Sequence, residues 1–236
     1  RSYITMTLKI MELAGFQISM ADNCILIANQ QVTPPNFEVE SDWSSAAFWY
    51  QFVAHSKSAK IILTGLKRSG IQGDECVADF FEKLGVRTSQ DSGSIIIQYD
   101  SSLLSSGPLH FDLKDVPDLA PALILTCFGE RVPAVFTGVN HLKFKESDRI
   151  KSIASCINSL GGEMKVVDDA IILNDFPESF NSVIVNPFND HRIAMAMAMF
   201  SATGTSVTLS DQNVVNKSYP EFWSHIELFD LPVTLV

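Results

Sequence analysis

The fold follows from one pattern that two stretches share, FFEKLGVRTSQDSGSIIIQ at residues 80–98 and INSLGGEMKVVDDAIILN at residues 157–174. Each begins as an amphipathic helix that ends at a glycine, continues through a short strand and a polar turn, and closes with an apolar strand. A third copy, IMELAGFQISMADNCILIAN, occupies residues 10–29. Glycine lets the chain leave a helix in the left-handed conformation, and a polar turn between short strands predicts a hairpin.

The spacing inside the three copies is the same, with the apolar triplet starting ten residues after the glycine. The glycines are Gly15, Gly85 and Gly161, and the triplets begin at Ile25, Ile95 and Ile171. A second echo, IILTGL at 61–66 and AVFTGV at 134–139, recurs after 73 residues, and Asp74 and Asp148 follow these segments just before a helix. Further helices are expected after Asp42, Asp118 and Asp190, each near an N-cap. The chain is thus predicted to repeat a unit of roughly 70 residues with two helices and about four strands.

The composition describes a folded protein with an acidic surface. Hydrophobic residues make up 46% of the 236 positions, which is enough for one large or two modest cores. The net charge of −10 argues against a nucleic-acid partner, and no apolar run approaches the ~20 residues that span a membrane. An anionic ligand would therefore need a local cluster of cations.

The four cysteines, Cys24, Cys76, Cys127 and Cys156, lie far apart with no metal-ligand spacing. They are interpreted as reduced core residues of a cytoplasmic protein. The run QQVTPPNFEVESD at 30–42, with Pro34 and Pro35, is the candidate linker. Residues 1–38 are then expected to be the remnant of an N-terminal domain, its last helix-hairpin unit, and residues 39–236 a C-terminal globular domain.

Charges are concentrated in HLKFKESDRI at residues 141–150. Apolar residues from Ile150 onward follow helical spacing, so a helix starts near Ser147 or Asp148 and Arg149 falls in its first turn. A cation there opposes the helix dipole by ~0.3–1 kcal/mol. NDHRI repeats the arrangement, with Asp190 as a plausible cap and Arg192 in the first turn. Each arginine could pair with its neighbouring aspartate at the surface, or both could hold an anion at a helix N-terminus.

Other candidate residues also carry two interpretations. Asp118 could be a helix cap, Glu146 a first-turn acid favoured by the dipole, and Lys217 a solvated loop lysine. A carboxylate among cations can instead exchange protons with a substrate, as Glu146 could beside Lys145 and Arg149. Tyr3 would ordinarily be half-buried packing, and His141 and His191 hydrogen-bonded loop residues.

Five motifs resemble the C-terminal half of the 3-phosphoshikimate 1-carboxyvinyltransferase (enolpyruvylshikimate-phosphate synthase) family. They are VESDWSSAAF, VPDLAP, LKFKESDRI, FNDHRIAMA and NKSYPEFW, and the resemblance begins at RSYITMTL. It implies an α/β (α+β) fold, an inside-out α/β barrel domain of pseudo-threefold βαβαββ repeats of the enolpyruvyl transferase kind. It also implies transfer of the enolpyruvyl group of phosphoenolpyruvate to the 5-hydroxyl of shikimate 3-phosphate with release of phosphate, without a metal or organic cofactor.

The resemblance assigns roles residue by residue. Asp118 and Glu146 resemble the proton-transferring residues, Asp118 serving the attacking hydroxyl and Glu146 the methylene carbon. Phosphoenolpyruvate is expected at Arg149, Arg192 and Lys217. Shikimate 3-phosphate is expected at Tyr3, Asp118, His141 and Lys145.

Two positions depart from the family pattern: His141 stands where some relatives carry Asn, and Ser41 where an EGD run has Gly. The family's N-terminal half, with further substrate-binding residues, is absent from this sequence, so the chain is expected to be an inactive fragment of a monomeric parent. The alternatives are a UDP-sugar enolpyruvyl transferase and a non-catalytic anion-binding domain.

Overall fold

The computed structural model describes residues 2–22, 24–36 and 38–235. Its helices are α1 (Ser2–Leu13), α2 (Trp43–Ser56), α3 (Val77–Glu82), α4 (Ala120–Gly129), α5 (Arg149–Ser159), α6 (His191–Phe200) and α7 (Phe222–Ile226). Its strands are β1 (Ile18–Ala21), β2 (Cys24–Ile27), β3 (Lys60–Thr64), β4 (Val86–Asp91), β5 (Ser94–Tyr99), β6 (Leu109–Asp112), β7 (Ala134–Thr137), β8 (Lys165–Val167), β9 (Ala170–Leu173), β10 (Val183–Val185), β11 (Val207–Leu209) and β12 (Val233–Leu235).

The three helix-hairpin copies form as the sequence predicts. α1, α3 and α5 each lead into an antiparallel hairpin, β1–β2, β4–β5 and β8–β9 respectively. The glycines that end the helices have positive φ, 96° at Gly15, 82° at Gly85 and 93° at Gly161. A side chain at these positions would be strained, which explains why glycine recurs there.

The predicted βαβαββ unit is complete only in the middle of the chain. There β6, α4, β7, α5, β8 and β9 follow one another, and the strands form a sheet in the order β6-β7-β9-β8 with β6 and β7 parallel. The preceding copy forms β3-β5-β4, with no strand of the described residues beside the outer edge of β3. In the last copy the hairpin is replaced by the single strand β12, which pairs parallel to β11.

The core lies between α2, α4 and α6, which pack against one another in pairs. All ten residues of α4 are buried, as its unbroken apolar sequence requires, and Met195, Met197 and Met199 of α6 are fully buried core residues. The strands form four separate sheets, and the described residues contain no closed barrel. Helices inside and sheets outside correspond to the predicted inside-out arrangement.

The first helix-hairpin unit has no core of its own. Ile25 in β2 is 40% exposed, whereas its repeat equivalents Ile95 and Ile171 are fully buried. β4 and β5 pack against α2, whereas among the described residues the main contacts of β1 and β2 are with each other. The boundary at residue 38 remains a prediction.

Cysteine burial agrees with the sequence expectation only in part. Cys127 and Cys156 are buried and Cys76 is partly buried, but Cys24 is exposed. The assignment of Cys24 to a core is therefore wrong, because it lies on the uncovered strand β2. No helix of the described residues is long and apolar enough to cross a membrane.

Candidate active site

The capping aspartates of α5 and α6 are those that the sequence predicts, whereas Asp118 does not cap α4. Asp148 caps α5 by accepting a hydrogen bond from the Lys151 amide, and Asp190 caps α6 by accepting one from the Arg192 amide. Asp118 lies in a 3-10 turn before α4 and caps nothing. The capping interpretation of Asp118 is wrong, and its carboxylate is free for other partners.

The Asp118 carboxylate is the centre of the site. Its Oδ1 accepts from Arg149 Nη1 at 2.7 Å and lies 3.3 Å from Lys145 Nζ. Its Oδ2 accepts from the Tyr3 hydroxyl at 2.7 Å and from Arg192 Nη2 at 3.1 Å. Residues separated by up to 115 positions thus meet on one carboxylate.

Arg149 is fully buried and binds three carboxylates at once. Nε donates to Asp190 at 2.8 Å, Nη1 to Asp118 at 2.7 Å and Nη2 to Glu146 at 2.7 Å. It does not pair with its neighbour Asp148, which instead lies 3.1 Å from Lys151 Nζ. The surface-pair interpretation is therefore wrong for Arg149, and Arg192 likewise directs its side chain to Asp118 rather than to Asp190. The side chains of both arginines therefore bind carboxylates that lie outside their own helices.

Glu146 and Lys217 form the solvent-facing side of the network. Lys217 Nζ lies 3.1 Å from Glu146 Oε1, and the two side chains are 60% and 26% exposed. An exposed ion pair of this kind contributes ~0–1 kcal/mol, so it can exchange for a ligand readily.

The network carries an excess of positive charge. The four cations Lys145, Arg149, Arg192 and Lys217 face the three carboxylates Asp118, Glu146 and Asp190. The first turns of α5 and α6 also lie here, and helix N-termini favour anions. The site is thus locally suited to an anion although the whole chain has a charge of −10.

These charges shift the pKa values of the acidic groups in the site. Burial raises the pKa of Asp118, but the charge of Arg192 and the hydrogen bonds from Tyr3 and Arg149 outweigh it and hold that pKa well below its usual range. Burial likewise raises the pKa of Glu146, and hydrogen bonds from its own amide and Lys217, with the charge of Arg149, lower it overall. Burial and the bond to Asp118 raise the pKa of Tyr3. Both carboxyls are therefore ionised when no substrate is bound.

Polar atoms without partners cluster at the same place. Within the described part of the chain, Arg192 Nε, His141 Nε2 and His191 Nδ1 are buried and accept or donate no hydrogen bond. Burial and the charge of Lys145 lower the pKa of His141, and burial and the charge of Arg192 lower that of His191. His141 is thus a neutral group beside the network but not joined to it. Unsatisfied buried groups of this kind are expected where a ligand binds.

Sequence reasoning missed the contacts of two aspartates. Asp190 was predicted only as a cap, yet its Oδ2 also binds Arg149 and accepts from the Ser147 hydroxyl at 3.2 Å. The matched positions of ESDRI and NDHRI were a signal that the two motifs could touch. Asp74, expected just before a helix like Asp148, instead turns inward and accepts from the Ser44 hydroxyl at 2.6 Å.

Two cavities lie near these elements. One of about 160 Å³ is bounded by Tyr3, Ser44 and Asp74, among others. A groove of about 980 Å³ runs along β3 and the segment Ser218–Glu221. The described residues contain no group of three or more His, Cys, Asp or Glu arranged to hold a metal ion.

Comparison with known proteins identifies the family to which this chain belongs. The model for EPSP synthase (3-phosphoshikimate 1-carboxyvinyltransferase) matches residues 1–226, nearly the entire chain. The chain belongs to the EPSP synthase family. This match confirms the family resemblance that the five sequence motifs indicated.

Curated members of the EPSP synthase family are similar over almost all of the chain. The 3-phosphoshikimate 1-carboxyvinyltransferase of Bacteroides fragilis is 36% identical over 229 residues, which cover 96% of this chain and 55% of the relative. That of Methanospirillum hungatei is 31% identical over 229 residues, covering 95% and 52%. The chain therefore spans about half the length of the curated relatives it matches.

Solved structures agree on the fold. EPSP synthase from Acinetobacter baumannii superposes with a TM-score of 0.72 at 22% identity, covering 94% of this chain and 53% of that one. The enolpyruvyl transferase NikO from Streptomyces tendae gives 0.62 at 14% identity, covering 97% and 53%. The predicted enolpyruvyl transferase-like fold is confirmed.

Proposed function

We propose that the complete protein transfers the enolpyruvyl group of phosphoenolpyruvate to the 5-hydroxyl of shikimate 3-phosphate and releases phosphate. This chain supplies the C-terminal domain, residues 39–236, and the last unit of an N-terminal domain, residues 1–38. Membership of the EPSP synthase family supports the reaction. The observation that carries the proposal is the joining of Asp118 and Glu146, through Arg149, in one cation-rich network.

Asp118 is proposed to take the proton of the attacking hydroxyl. Its depressed pKa makes it a weak base, but a weak base suffices when the hydroxyl oxygen attacks an oxocarbenium-like carbon, because bond formation makes the hydroxyl proton strongly acidic. The hydrogen bond from Tyr3 and the contact with Lys145 fix the carboxylate orientation. Tyr3, Lys145 and His141 are the proposed contacts to the shikimate portion.

Glu146 is proposed to give a proton to the methylene carbon of phosphoenolpyruvate and later to remove one from the resulting methyl group. The second step restores the double bond as the bond to phosphate breaks. Its carboxyl is ionised in the empty site, so it must gain a proton before acting. The negative charge of bound phosphoenolpyruvate opposes the influence of Lys217 and Arg149 and thereby favours that protonation.

Arg192 and Lys217 are proposed to bind phosphoenolpyruvate directly. Arg192 keeps a buried Nε without a partner in the described residues, and Lys217 is mostly exposed. Arg149 offers its remaining N–H groups, but with three carboxylates bound it also holds the site together. Fixed cations around a developing positive centre and its neighbouring anions stabilise the transition state without reorganisation.

The test is phosphate release by the complete protein encoded by the gene that contains this sequence. With phosphoenolpyruvate we expect release only when shikimate 3-phosphate is the acceptor. Turnover with a UDP-sugar alone would instead assign the protein to that class of enolpyruvyl transferase. No turnover with either acceptor, together with tight phosphoenolpyruvate binding by the 236-residue chain, would favour a non-catalytic anion-binding domain.

The isolated chain is expected to show no turnover. Its site is proposed to form one wall of a cleft in the complete protein, so in the isolated chain binding must offset the lost freedom of the ligand without full enclosure. We also propose that the protein is monomeric and acts in the cytoplasm, without a metal or organic cofactor.

A further inference from the structure

The segment that carries Glu146 is held by side chains rather than by its backbone. It lies between the 3-10 helix Asn140–Phe144 and α5, outside both elements. Within the described residues, no backbone-to-backbone hydrogen bond involves Glu146 or Ser147. The contacts that fix the Glu146 carboxyl for proton transfer must therefore come from the side chains of this short segment.

The side chain and the main chain of Glu146 have different anchors. The carboxylate accepts from Arg149 Nη2 at 2.7 Å and lies 3.1 Å from Lys217 Nζ. The next residue in the chain, Ser147, donates its hydroxyl to Asp190 Oδ2 at 3.2 Å. Ser147 thus connects the backbone beside Glu146 to a residue of another element, the N-cap of α6.

These contacts close into a ring that begins and ends at Glu146. Asp190 Oδ2, which accepts from Ser147, also accepts from Arg149 Nε at 2.8 Å. The same guanidinium donates to Glu146 through Nη2. Asp190 is fully buried, and its other oxygen accepts from the Arg192 amide at 3.0 Å. The ring therefore fixes Glu146 relative to the first turn of α6, where Arg192 lies.

We propose that Ser147 is a positioning residue for the proton transfer by Glu146. This inference rests on the proposed function, because it takes proton exchange between Glu146 and phosphoenolpyruvate as given. The Ser147 hydroxyl ties the main chain beside Glu146 to α6, so the carboxyl keeps a fixed place relative to Arg192, a proposed phosphoenolpyruvate contact. Ser147 acts through Glu146 and does not itself touch the substrate. Misplacing a reacting group by about 1 Å can lower a rate by ~10²-fold.

The length of the Ser147–Asp190 hydrogen bond sets the size of the expected effect. At 3.2 Å it is longer than most hydrogen bonds from a hydroxyl to an oxygen. Hydrogen bonds of catalytic sites are often long before substrate binds and shorten in the complex. Glu146 also keeps its bond to Arg149 when the Ser147 hydroxyl is lost. We therefore expect a loss of rate of about tenfold, smaller than the loss expected when the Glu146 carboxyl itself is removed.

The test compares Ser147→Ala with the parent in the complete protein. We expect kcat to fall about tenfold while the KM values for phosphoenolpyruvate and shikimate 3-phosphate stay within about twofold, because no substrate contact is removed. Ser147→Thr keeps a hydroxyl and should recover most of the lost kcat. A kcat of Ser147→Ala within about twofold of that of the parent would overturn the proposal.

Ser152→Ala is the matched control. Ser152 is 3% exposed in α5, and its hydroxyl lies 3.0 Å from Ser147 Oγ and 3.1 Å from the carbonyl oxygen of Asp148. The variant loses a buried hydroxyl from the same region but keeps the bond from Ser147 to Asp190. Its kcat should stay within about twofold of that of the parent, even if its Tm falls as far as that of Ser147→Ala. Equal losses of kcat in the two variants would show that Ser147 affects stability rather than Glu146.

A double variant tests whether Ser147 acts through Glu146. If it does, Ser147→Ala should lower the residual kcat of Glu146→Gln by less than about twofold, although it lowers that of the parent about tenfold. A further tenfold loss in the double variant would show that the two residues act independently. Should Ser147→Ala not fold, Ser147→Cys keeps the side-chain volume with a much weaker donor, and the same pattern is expected.

Two outcomes separate this inference from the proposed function. If the parent does not turn over phosphoenolpyruvate and shikimate 3-phosphate, the proposed function fails. If the parent turns over and Glu146→Gln is impaired while Ser147→Ala is not, only the positioning role of Ser147 fails.

Discussion

Arg149 Nε donates to Asp190 Oδ2 across 2.8 Å, and both side chains are fully buried. The pair ties the first residue of α5 to the N-cap of α6, two elements 41 positions apart. The same guanidinium reaches Asp118 ahead of α4. One arginine therefore connects the N-terminal ends of α4, α5 and α6, and the same contacts position the candidate catalytic acids.

Arg149→Ala should destabilise the chain strongly. Removing the cation leaves the buried Asp190 without a counter-charge and takes from Asp118 its shortest ion pair, which typically costs ~3–5 kcal/mol. Urea unfolding followed by circular dichroism measures the free energy of unfolding. Arg192→Ala, which removes one ion pair at a slightly exposed side chain, should lower it by only ~1 kcal/mol. Equal losses in the two variants would contradict the bridging role of Arg149.

Glu146→Gln and Asp118→Asn should each lower kcat of the complete protein by ~10²–10⁴-fold, because each removes a proton-transfer group. Glu146→Gln should leave the Tm nearly unchanged, since its side chain is 26% exposed. Phosphate release under saturating substrates is the measurement. Near-normal turnover in either variant would mean that the proton-transfer role is misassigned.

Lys217→Ala should weaken phosphoenolpyruvate binding without affecting the fold. Lys217 is 60% exposed and makes one ion pair, so its contribution to folding is ~0–1 kcal/mol. A lost charge-assisted contact to a carboxylate or phosphate should raise the KM for phosphoenolpyruvate about tenfold, at ~1.4 kcal/mol per factor of ten. Lys143→Ala provides the comparison, because within the described residues the Lys143 ammonium hydrogen-bonds only to the Asn140 side chain, at 3.0 Å. A similar KM in both variants would exclude a specific role for Lys217.

Asp74→Asn should change how stability depends on pH. Burial raises the pKa of Asp74 to about 6, so the folded state binds this proton more tightly than the unfolded state does. The resulting stabilisation is complete below the unfolded pKa of ~3.9 and is lost as the pH rises through about 6. The parent should therefore lose ~2–3 kcal/mol relative to Asp74→Asn between pH 4 and 7.

Chemical unfolding of both proteins across this pH range measures the difference. Asp100→Asn should behave in the opposite sense and at lower pH. Hydrogen bonds from Ser102 and Arg87 lower the pKa of Asp100 to about 2, so the stabilisation by its carboxylate is present above the unfolded pKa and is lost as the pH falls through about 2. A pH-independent difference for Asp74→Asn would show that its carboxyl is not perturbed.

Residues 39–236 should fold without residues 1–38. The central helices α2, α4 and α6 lie wholly within this range, and the first hairpin contributes exposed side chains such as Leu26, at 56%. We expect the truncated chain to keep its helical circular dichroism and a Tm within a few degrees of the parent, because little apolar area is lost. A truncated chain that is unfolded would place the domain boundary elsewhere.

The local elements follow from the sequence because their causes are local. Gly15, Gly85 and Gly161 end helices that begin and end within one repeat, and Asp148 and Asp190 cap helices through their own adjacent amides. The buried Met195 of α6 follows from an unbroken apolar run. None of these features depends on a distant residue. The repeat spacing predicted the repeated unit, whereas the fold class was implied by the family resemblance.

The partners of the charged residues depend on the long-range packing of the chain and could not be read from the local sequence. By sequence, Arg149 adjoins Asp148 and Asp118 stands at a helix start, yet Arg149 binds Asp190 and Asp118, and Asp118 caps nothing. At the surface, an ion pair between sequence neighbours stabilises the protein by only a fraction of a kcal/mol. A buried cation, in contrast, is stable only where the packing places carboxylates next to it. Local sequence therefore accounts for the repeats, the helix starts and the candidate residues. The packing of α4, α5 and α6 accounts for which charges meet, because a buried charge is stable only beside an opposite charge.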